Sequence, residues 1–259
     1  MKLGHANITL IDFDPYTNVT NASTVTGFNN HELGAHLDIT DGRSFRFAKA
    51  GASALGVGKL ATAPTPKANH HNMAVQAAAA IGATTISVTL GATAAVAQEY
   101  AEGFLTISVT PGQGQIFKIS DQQAASSSAT QTVTVYDPVN VALTTSSKAN
   151  LVHNSYNMAI NGTSQTTRTV GVPLVPVTAS TSAIIGQSYF WAQCKGTVAV
   201  LADQTIALGS RLAPSGSVAG SVIAESSTFA TAQVTTPIGV ANIMAGVDTE
   251  YRPMFLNVD

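Results

Sequence analysis

The chain has 259 residues, of which only 10% are charged, and its 12 lysines and arginines against 14 aspartates and glutamates give a formal net charge of −2. Roughly a quarter of the residues are charged in an ordinary soluble domain, and nucleic acid or an anionic membrane requires a basic patch, whereas the lysines and arginines here are scattered. The composition therefore excludes strongly electrostatic partners and favours a structural or assembly protein, whose Ala-, Ser- and Thr-rich surface packs against copies of itself or another lattice.

The N-terminal residues carry no recognisable targeting signal. They lack a continuous apolar stretch and include Asp12 and Asp14, unlike a secretory signal peptide. No stretch of the sequence reaches the roughly 18 apolar residues of a membrane helix. The one cysteine, Cys194, cannot form an intrachain disulfide, which fits a reducing compartment or a particle held together by contact area alone.

Residues 1–80 are predicted to form an extended N-terminal arm and connector. Up to about residue 45 the sequence is polar, rich in Asn and without sustained periodicity, which is typical of a segment that either is disordered or gains order from a neighbour. The alternation in Ser44–Phe47 predicts one short strand. Glycines and prolines are frequent between Asp41 and Pro66, so we expect a turn-rich connector there.

Residues 81–165 are predicted to form a first β domain. Its segments alternate apolar and polar residues with period 2, as half-buried strands do, and turn residues such as Pro111–Gly114 separate them. The alternation predicts strands at Thr84–Leu90, Gly103–Thr110, Gln115–Ser120 and Gln131–Tyr136, with a further extended piece from Leu151.

Residues 166–259 are predicted to form a second β domain, and turns between its short strands indicate a small barrel or sandwich. A short helix is predicted at Met73–Ile81, and Ala92–Ala101 is predicted to be a short helix or a loop. The predicted fold class is therefore all-β, with two β units of the small barrel or sandwich type and an extended N-terminal arm. The strands expected in the second domain are Ser188–Ala192, Thr197–Leu201, Ser217–Ala224 and Phe255–Val258.

The histidines do not form a metal-binding pattern. The segment His31–His36 resembles the HExxH zinc motif with one residue too many. Its two histidines would diverge by about 140° on a helix of ~3.6 residues per turn, so we predict an exposed polar arm. Adjacent side chains diverge on a strand, and His70 and His71 are predicted to lie in a solvated loop.

The remaining candidate chemistry also lacks the required spacing. Asp12, Asp14, Asp38 and Asp41 do not follow the EF-hand pattern and are interpreted as turn-forming residues. No nucleophile motif or phosphate-binding loop fits the sequence, and Cys194 is interpreted as a buried, inert thiol. We therefore predict no catalytic residues, no metal and no cofactor, and a protein that is not an enzyme.

The run Tyr189-Phe190-Trp191 is the one aromatic cluster of the sequence. On a strand, Tyr189 and Trp191 would share one face and Phe190 would lie on the other. Core packing, a subunit contact and the stacking of a sugar are all compatible with these rings.

The second β unit contains a distinctive order of motifs: FWAQCKGTVAV at 190–200, IALGSRL at 206–212, AGSV at 219–222, IGVA at 238–241 and RPMFLNV at 252–258. This order resembles the small β-barrel of tailed-phage capsid decoration, or cement, proteins. The upstream segment DGRSFRFAKAG at 41–51 is similar to phage structural proteins that carry long N-terminal arms.

The resemblance implies a viral structural protein that binds the outer capsid surface and stabilises the head. Its implied partners are the major capsid protein lattice and copies of itself, as a homotrimer, with no direct contact to nucleic acid or membrane. The implied location is the capsid surface of the virion, after synthesis in the host cytoplasm. An arm that orders on docking would add contact area.

Six residues are predicted to lie in interfaces. Arg43 and Arg46 would anchor the arm to an acidic lattice, and Phe45 and Phe47 would supply apolar docking. The remaining two are Tyr189 and Trp191.

Two other function classes stay open. One is another virion component, such as a major coat, tail or fibre protein, although the sequence lacks both the long helix typical of the common coat fold and the fixed repeat of a fibre. The other is a carbohydrate-binding β-module, in which Tyr189 and Trp191 would form the stacking platform.

Overall fold

The computed structural model describes residues 31–163, 165–180, 188–225, 238–242 and 249–258. Strands dominate this part of the chain, and they fall into two compact units. One unit comprises residues 65–157, and the other comprises the chain up to residue 64 together with residues 158 onwards. The prediction of an all-β fold with two β units is confirmed.

The strands of the described residues follow one another in chain order as β1 (His36–Asp38), β2 (Ser44–Lys49), β3 (Ala61–Thr62), β4 (Met73–Ala74), β5 (Thr85–Thr89), β6 (Phe104–Val109), β7 (Ile116–Gln122), β8 (Thr130–Val135), β9 (Lys148–Val152), β10 (Thr169–Pro173), β11 (Tyr189–Leu201), β12 (Arg211–Pro214), β13 (Val222–Ala224), β14 (Gly239–Ala241) and β15 (Tyr251–Asn257).

Residues 65–157 form a nearly closed barrel, called the barrel below. Its six strands are antiparallel and lie in the order β4-β9-β6-β7-β8-β5. A bridge between Val75, just after β4, and Val88 of β5 brings the two end strands together. Closure leaves few backbone groups unpaired at a sheet edge.

The barrel follows the period-2 alternation of its sequence. Ile86 and Val88 of β5, and Leu105 and Ile107 of β6, point inwards and are buried, while the intervening residues are polar. The strands predicted in this region are confirmed with small shifts at their ends. The core is continuous and is lined by aliphatic side chains together with Phe117 and Tyr100.

The other unit, called the large-sheet unit, contains a nine-stranded sheet. Its main path runs β1-β2-β11-β15-β14-β12-β13, and β10 pairs with both β11 and β3. The 13-residue strand β11 pairs with β2 along its first half and with β15 along its second half. It therefore joins segments that are far apart in the sequence.

Strand β2 is central in this sheet because it lies between β1 and β11. A central strand buries both faces, and four of its six residues are buried. On one face Phe45 and Phe47 lie opposite Gln193 and Trp191. A second cluster of aliphatic side chains, which includes Val200 and Leu256, packs beneath β11 and β15.

The predicted boundaries differ from the two observed units. Residues 44–64 are part of the large-sheet unit and residues 65–80 are part of the barrel, so the described residues of the predicted 1–80 arm and connector fold into both. The predicted domain 81–165 corresponds to the unit of residues 65–157. The predicted domain 166–259 corresponds to the second unit, which also includes the segment before residue 65. Residues 1–30 of the predicted arm lie outside the described residues.

The prediction of a helix at Met73–Ile81 is wrong, whereas the loop alternative given for Ala92–Ala101 is confirmed. Met73–Ala74 is strand β4, and Val75 and Ala79 form β-bridges to Val88 and Leu143. The alanine-rich sequence lacks a polar face that would favour a helix, and the open edge of β5 offers it backbone partners. Residues 92–101 form a loop with turns. In the described residues, no helix is long or apolar enough to span a membrane.

Candidate functional site

One end of the barrel holds a group of titratable side chains that are buried except for the partly exposed Lys67. The group is called the polar cluster: Lys67, His70, Glu99, Tyr100 and His153. They come from the 3₁₀ turn Ala68–His70 and the residue before it, from the loop between β5 and β6, and from the residue after β9. The cluster therefore connects three irregular segments that meet at the same end of the barrel.

Glu99 is the centre of the polar cluster. Its carboxylate accepts from Lys67 Nζ at 2.6 and 2.8 Å, from His153 Nε2 at 3.1 Å and from the Val96 backbone amide at 2.9 Å. The side chain of Glu99 is only 2% exposed. A buried carboxylate is tolerated when it is paired and hydrogen-bonded in this way.

His70 and Tyr100 form the second half of the cluster. His70 is fully buried; its Nε2–H donates to the Thr93 carbonyl at 2.9 Å, and its Nδ1 lies against the Tyr100 hydroxyl. These partners fix the neutral tautomer, in which Nδ1 accepts from the phenol. The Tyr100 ring also stacks on His153, with 4.4 Å between ring centroids.

The surroundings shift three pKa values. Burial alone would raise the pKa of Glu99, but the hydrogen bonds from His153, Lys67 and Val96 outweigh it and lower the pKa to about 2. Burial lowers the pKa of His70 and raises the pKa of the Tyr100 phenol, which the charge of Glu99 raises further. At neutral pH, Glu99 is therefore ionised, whereas His70 and Tyr100 are neutral.

The cluster acts as a brace. The carboxylate of Glu99 is neutralised by Lys67, both ring nitrogens of His70 are occupied, and Asn157 Nδ2 donates to the backbone oxygens of Gln98 and Glu99 at 2.9 and 3.1 Å. Within the described ranges, no three histidine, cysteine, aspartate or glutamate side chains group to hold a metal ion. The arrangement thus holds the loops in place.

The outer wall of the same barrel end carries the second notable feature, called the apolar row: Phe104, Ile116, Tyr136 and Val152. Their exposed fractions range from 40% to 60%. Phe104 of β6 pairs with Val152 of β9 on one side and with Lys118 of β7 on the other. The Tyr136 amide, just after β8, donates to the Lys118 carbonyl at 3.0 Å. The row therefore crosses four neighbouring strands.

Lys118 and Ile116 complete this surface. The Lys118 Nζ lies 5.6 Å from the centroid of the Tyr136 ring, at cation–π distance. Ile116 is two residues from Lys118 on β7 and faces outwards because Phe117 is buried in the core. Directly opposite side chains on adjacent strands lie about 5 Å apart. Lys118 is the residue of β7 opposite Phe104, whereas Ile116 lies opposite Thr106, so the lysine interrupts the row between Phe104 and Tyr136.

The aromatic residues that were predicted from the sequence to lie in interfaces are close together in the large-sheet unit. Phe47 stacks on Tyr189 with 5.6 Å between centroids and contacts Trp191 at 5.2 Å. Phe45, Phe47, Tyr189 and Trp191 are all buried. The expected exposed docking pair, Phe45 and Phe47, thus packs the interior, because β2 is a central strand. Trp191, 3% exposed, presents no open platform for a sugar.

The two arginines proposed as anchors make local contacts. The Arg43 side chain binds Asp41 at 2.7 Å and lies 5.8 Å from the centroid of the Phe45 ring. Arg46 Nη1 donates to the Gly34 carbonyl at 2.9 Å. These contacts connect β2 to the segments beside it.

The remaining candidates from the sequence separate in the structure. His31 contacts the rings of Phe47 and Trp191 at about 5 Å, while His36 lies in β1 near Asp38. The expectation of a solvated loop at His70 is wrong, since that ring is buried; His71 is exposed. Cys194 is buried, as predicted.

Neither barrel feature was identified from the sequence. The members of the polar cluster lie far apart along the chain, and no spacing connects Lys67 or His153 with Glu99. The apolar row, in contrast, is detectable in the amino-acid sequence. Ile116 and Tyr136 occupy the outward, polar phase of strands whose inward phase is already apolar, and large apolar residues in that phase predict an exposed apolar surface.

Comparisons with family models, with characterised proteins and with solved structures found no match to the chain.

Proposed function

We propose that this chain is a virion structural protein, a capsid decoration protein that binds the outer surface of the head and stabilises it. The observation that carries the proposal is a surface poor in charge and interrupted by large apolar side chains. Such a surface is suited to lasting protein–protein contact. In the described residues the exposed large hydrophobic side chains are Val57, Ile81, Val96, Phe104, Val109, Ile116, Tyr136, Val141, Val152, Leu208, Val240, Tyr251 and Phe255.

Two further observations support the proposal. The sequence has 10% charged residues, whereas a free protein normally keeps itself soluble with many more. The order of motifs in residues 190–258 also resembles that of tailed-phage decoration proteins. The partner is the major capsid protein lattice, and the chain associates with itself as a homotrimer.

Cosedimentation with heads of the phage that encodes the chain tests this proposal. The purified chain should bind the assembled heads saturably, at a fixed number of copies per shell, and raise the temperature at which they release DNA. Sedimentation equilibrium should give three times the 26.5 kDa chain mass. Heads that neither retain the chain nor change in stability would contradict the proposal.

A further inference from the structure

A short segment at one end of the barrel, Lys67–His70, holds the start of the loop that follows β5. This segment is called the clamp. The Asn69 carbonyl accepts from the Gly91 amide at 3.1 Å, and the Asn69 side-chain amide donates to Thr93 Oγ1 at 3.0 Å. A Cβ on Gly91 would lie 2.6 Å from the Asn69 carbonyl oxygen, which shows how closely the two segments approach. The clamp therefore lies directly on this loop.

The hydrogen bonds of His70, the last residue of the clamp, require a neutral ring. Its Nε2–H donates to the Thr93 carbonyl, and its Nδ1 accepts from the Tyr100 hydroxyl. A protonated ring carries a second N–H, on Nδ1, which needs an acceptor instead of a donor. The phenol oxygen can accept only if the phenol proton turns away. Among the described residues the Tyr100 hydroxyl has no hydrogen-bond partner other than His70, so that proton would be buried without an acceptor, which destabilises the closed clamp.

The surroundings of His70 also favour the neutral ring. Burial lowers the pKa of His70 below its ordinary 6.5, and the positive charge of Lys67 and a charge on His153 lower it further. The Thr93 carbonyl and the negative charge of Glu99 act in the opposite direction without reversing the shift. Opening to water would remove the penalty of burial. The titratable groups that face His70 in the described part of the chain are Lys67, Glu99, Tyr100 and His153.

The second half of the same loop is held by bonds that do not involve the clamp. The amides of Ala95 and Ala125 donate to each other's carbonyl oxygens at 2.9 Å, and the Gln98 amide donates to the Gln122 carbonyl at 2.8 Å. These are backbone hydrogen bonds, and protonation of a histidine does not remove their donors or acceptors. Separation of the clamp from the loop is therefore compatible with a barrel whose strands stay paired.

We propose that the clamp is acid-operated: when His70 takes up a proton at Nδ1, residues 67–70 separate from residues 91–94 and uncover the Tyr100 hydroxyl, while β4–β9 remain paired. The open form binds this proton more readily than the closed form, so acid shifts the clamp towards the open form and neutral pH keeps it closed. This inference concerns the barrel alone and does not depend on the proposed function.

Hydrogen exchange of the full chain at pH 7.5 and at pH 5, corrected for the intrinsic pH dependence of exchange, measures the opening. The reporters are the Gly91 amide, bonded to Asn69, and the His70 amide, which donates to the Lys67 carbonyl at 2.9 Å. The Ala95 amide is the reference. A histidine that has its ordinary pKa of ~6.5 in the open form and stays neutral in the closed form would make opening about 30-fold more frequent at pH 5.

We expect the protection of both reporters to fall by about 5- to 30-fold between the two pH values. At pH 5 they should be at least ~10-fold less protected than the Ala95 amide, because local opening leaves the barrel folded. A change below ~2-fold would overturn the proposal. Reporters and reference that exchange with equal protection at pH 5 would also overturn it, since the whole barrel would then open together.

The variant His70→Gln and its matched control His71→Gln assign the response to one ring. Glutamine can donate to the Thr93 carbonyl and accept from the Tyr100 hydroxyl, but it takes up no proton in this pH range. His71 is the exposed neighbour of His70. The pH response should disappear in the His70 variant and persist in the His71 variant. A response that persists in the His70 variant would belong to another group, such as His153, and would overturn the proposal.

Nuclear magnetic resonance of the original chain provides a measurement that needs no variant. The Cε1 proton of the His70 ring should titrate below pH 6.5, and the loss of protection at Gly91 should follow the same curve. A His70 ring that becomes protonated while the protection of Gly91 is unchanged would overturn the proposal, even if the glutamine variant did not fold.

Discussion

The two units of this chain fill their interiors in different ways. The barrel is built from one continuous stretch, residues 65–157, and places an ion pair and two histidines in the loops at its end. The large-sheet unit joins segments from both sides of that stretch and packs aromatic rings, Phe47 against Tyr189 and Trp191. Apolar packing stabilises at any pH, whereas a buried ionised network is stable only while its protonation states persist. The two units should therefore respond to different perturbations.

The largest effect is expected from Phe47→Ala in the large-sheet unit. Phe47 is buried against Tyr189 and Trp191, and removing such a ring leaves a cavity that costs about 3–5 kcal/mol. Hydrogen exchange read by mass spectrometry should show faster exchange in β2 and β11, with protection in the barrel unchanged. Equal loss of protection in β6 and β7 would contradict the separation of the two units.

Local pattern explains why the barrel strands were predicted. Strands β6 and β7 are adjacent in the sequence, alternate with period 2 and are joined by the turn at Pro111–Gly114, so each signal lies within a short window. The pairing of β2 with β11 joins Phe47 to Trp191, and the whole barrel sequence, residues 65–157, lies between these two partners in the chain. No periodicity encodes a partner at that distance, which is why Ser44–Phe47 was predicted as a strand but placed in a connector.

The site was harder to predict than the fold, for the same reason. Glu99 lies in a loop among alanines and becomes a buried anion only because the chain returns Lys67 and His153 to it. The exposed row could have been inferred, since Ile116 precedes the inward-facing Phe117 on one strand. Phe45 and Phe47, which the sequence suggested for apolar docking, are buried because a central strand buries apolar residues that an edge strand would expose.

The second largest effect is expected from Glu99→Gln in the barrel. The substitution leaves Lys67 and His153 without their anion, and we expect a loss of about 2–4 kcal/mol at pH 7. The folded pKa of Glu99 is about 2 against 4.5 for the unfolded group, so this stability is fully present above pH 4.5 and is lost as pH falls towards 2. The difference in free energy of unfolding between the original chain and the Glu99→Gln variant should therefore become smaller as pH falls from 4.5 towards 2.

Asp137→Asn is the matched control for Glu99→Gln, because it removes one negative charge from an exposed position of the same unit. Its free energy of unfolding should equal that of the original chain. Hydrogen exchange in β5–β9 provides the measurement. A similar loss in both variants would mean that net charge, and not the polar cluster, stabilises the barrel.

A smaller effect is expected from His70→Gln. Glutamine can donate to the Thr93 carbonyl and accept from Tyr100, so the cost at pH 7 should be about 1–2 kcal/mol. Burial lowers the pKa of His70 below its ordinary 6.5, so the original chain loses stability as pH falls below 6.5, while the variant lacks this contribution. Lys67, Glu99, Tyr100 and His153 face His70 in both forms.

Denaturant titrations of both forms between pH 7.5 and 5, followed by exchange in the barrel, test the His70 prediction; the pH range is chosen about the ordinary histidine pKa of ~6.5. The gap in barrel stability between original chain and variant should narrow as pH falls. A constant gap would show that His70 does not contribute to the pH dependence.

The smallest effect on stability is expected from Ile116→Thr with Tyr136→Thr in the apolar row. Both side chains are 60% exposed, and threonine suits a strand, so the free energy of unfolding should change by less than ~1 kcal/mol. Thermal melting and exchange in β7 and β8 measure it. A loss above ~2 kcal/mol would mean that the row is packed in the free chain. A small loss would separate the two sides of the barrel wall: the inner side holds the fold together, and the outer side contributes little to it.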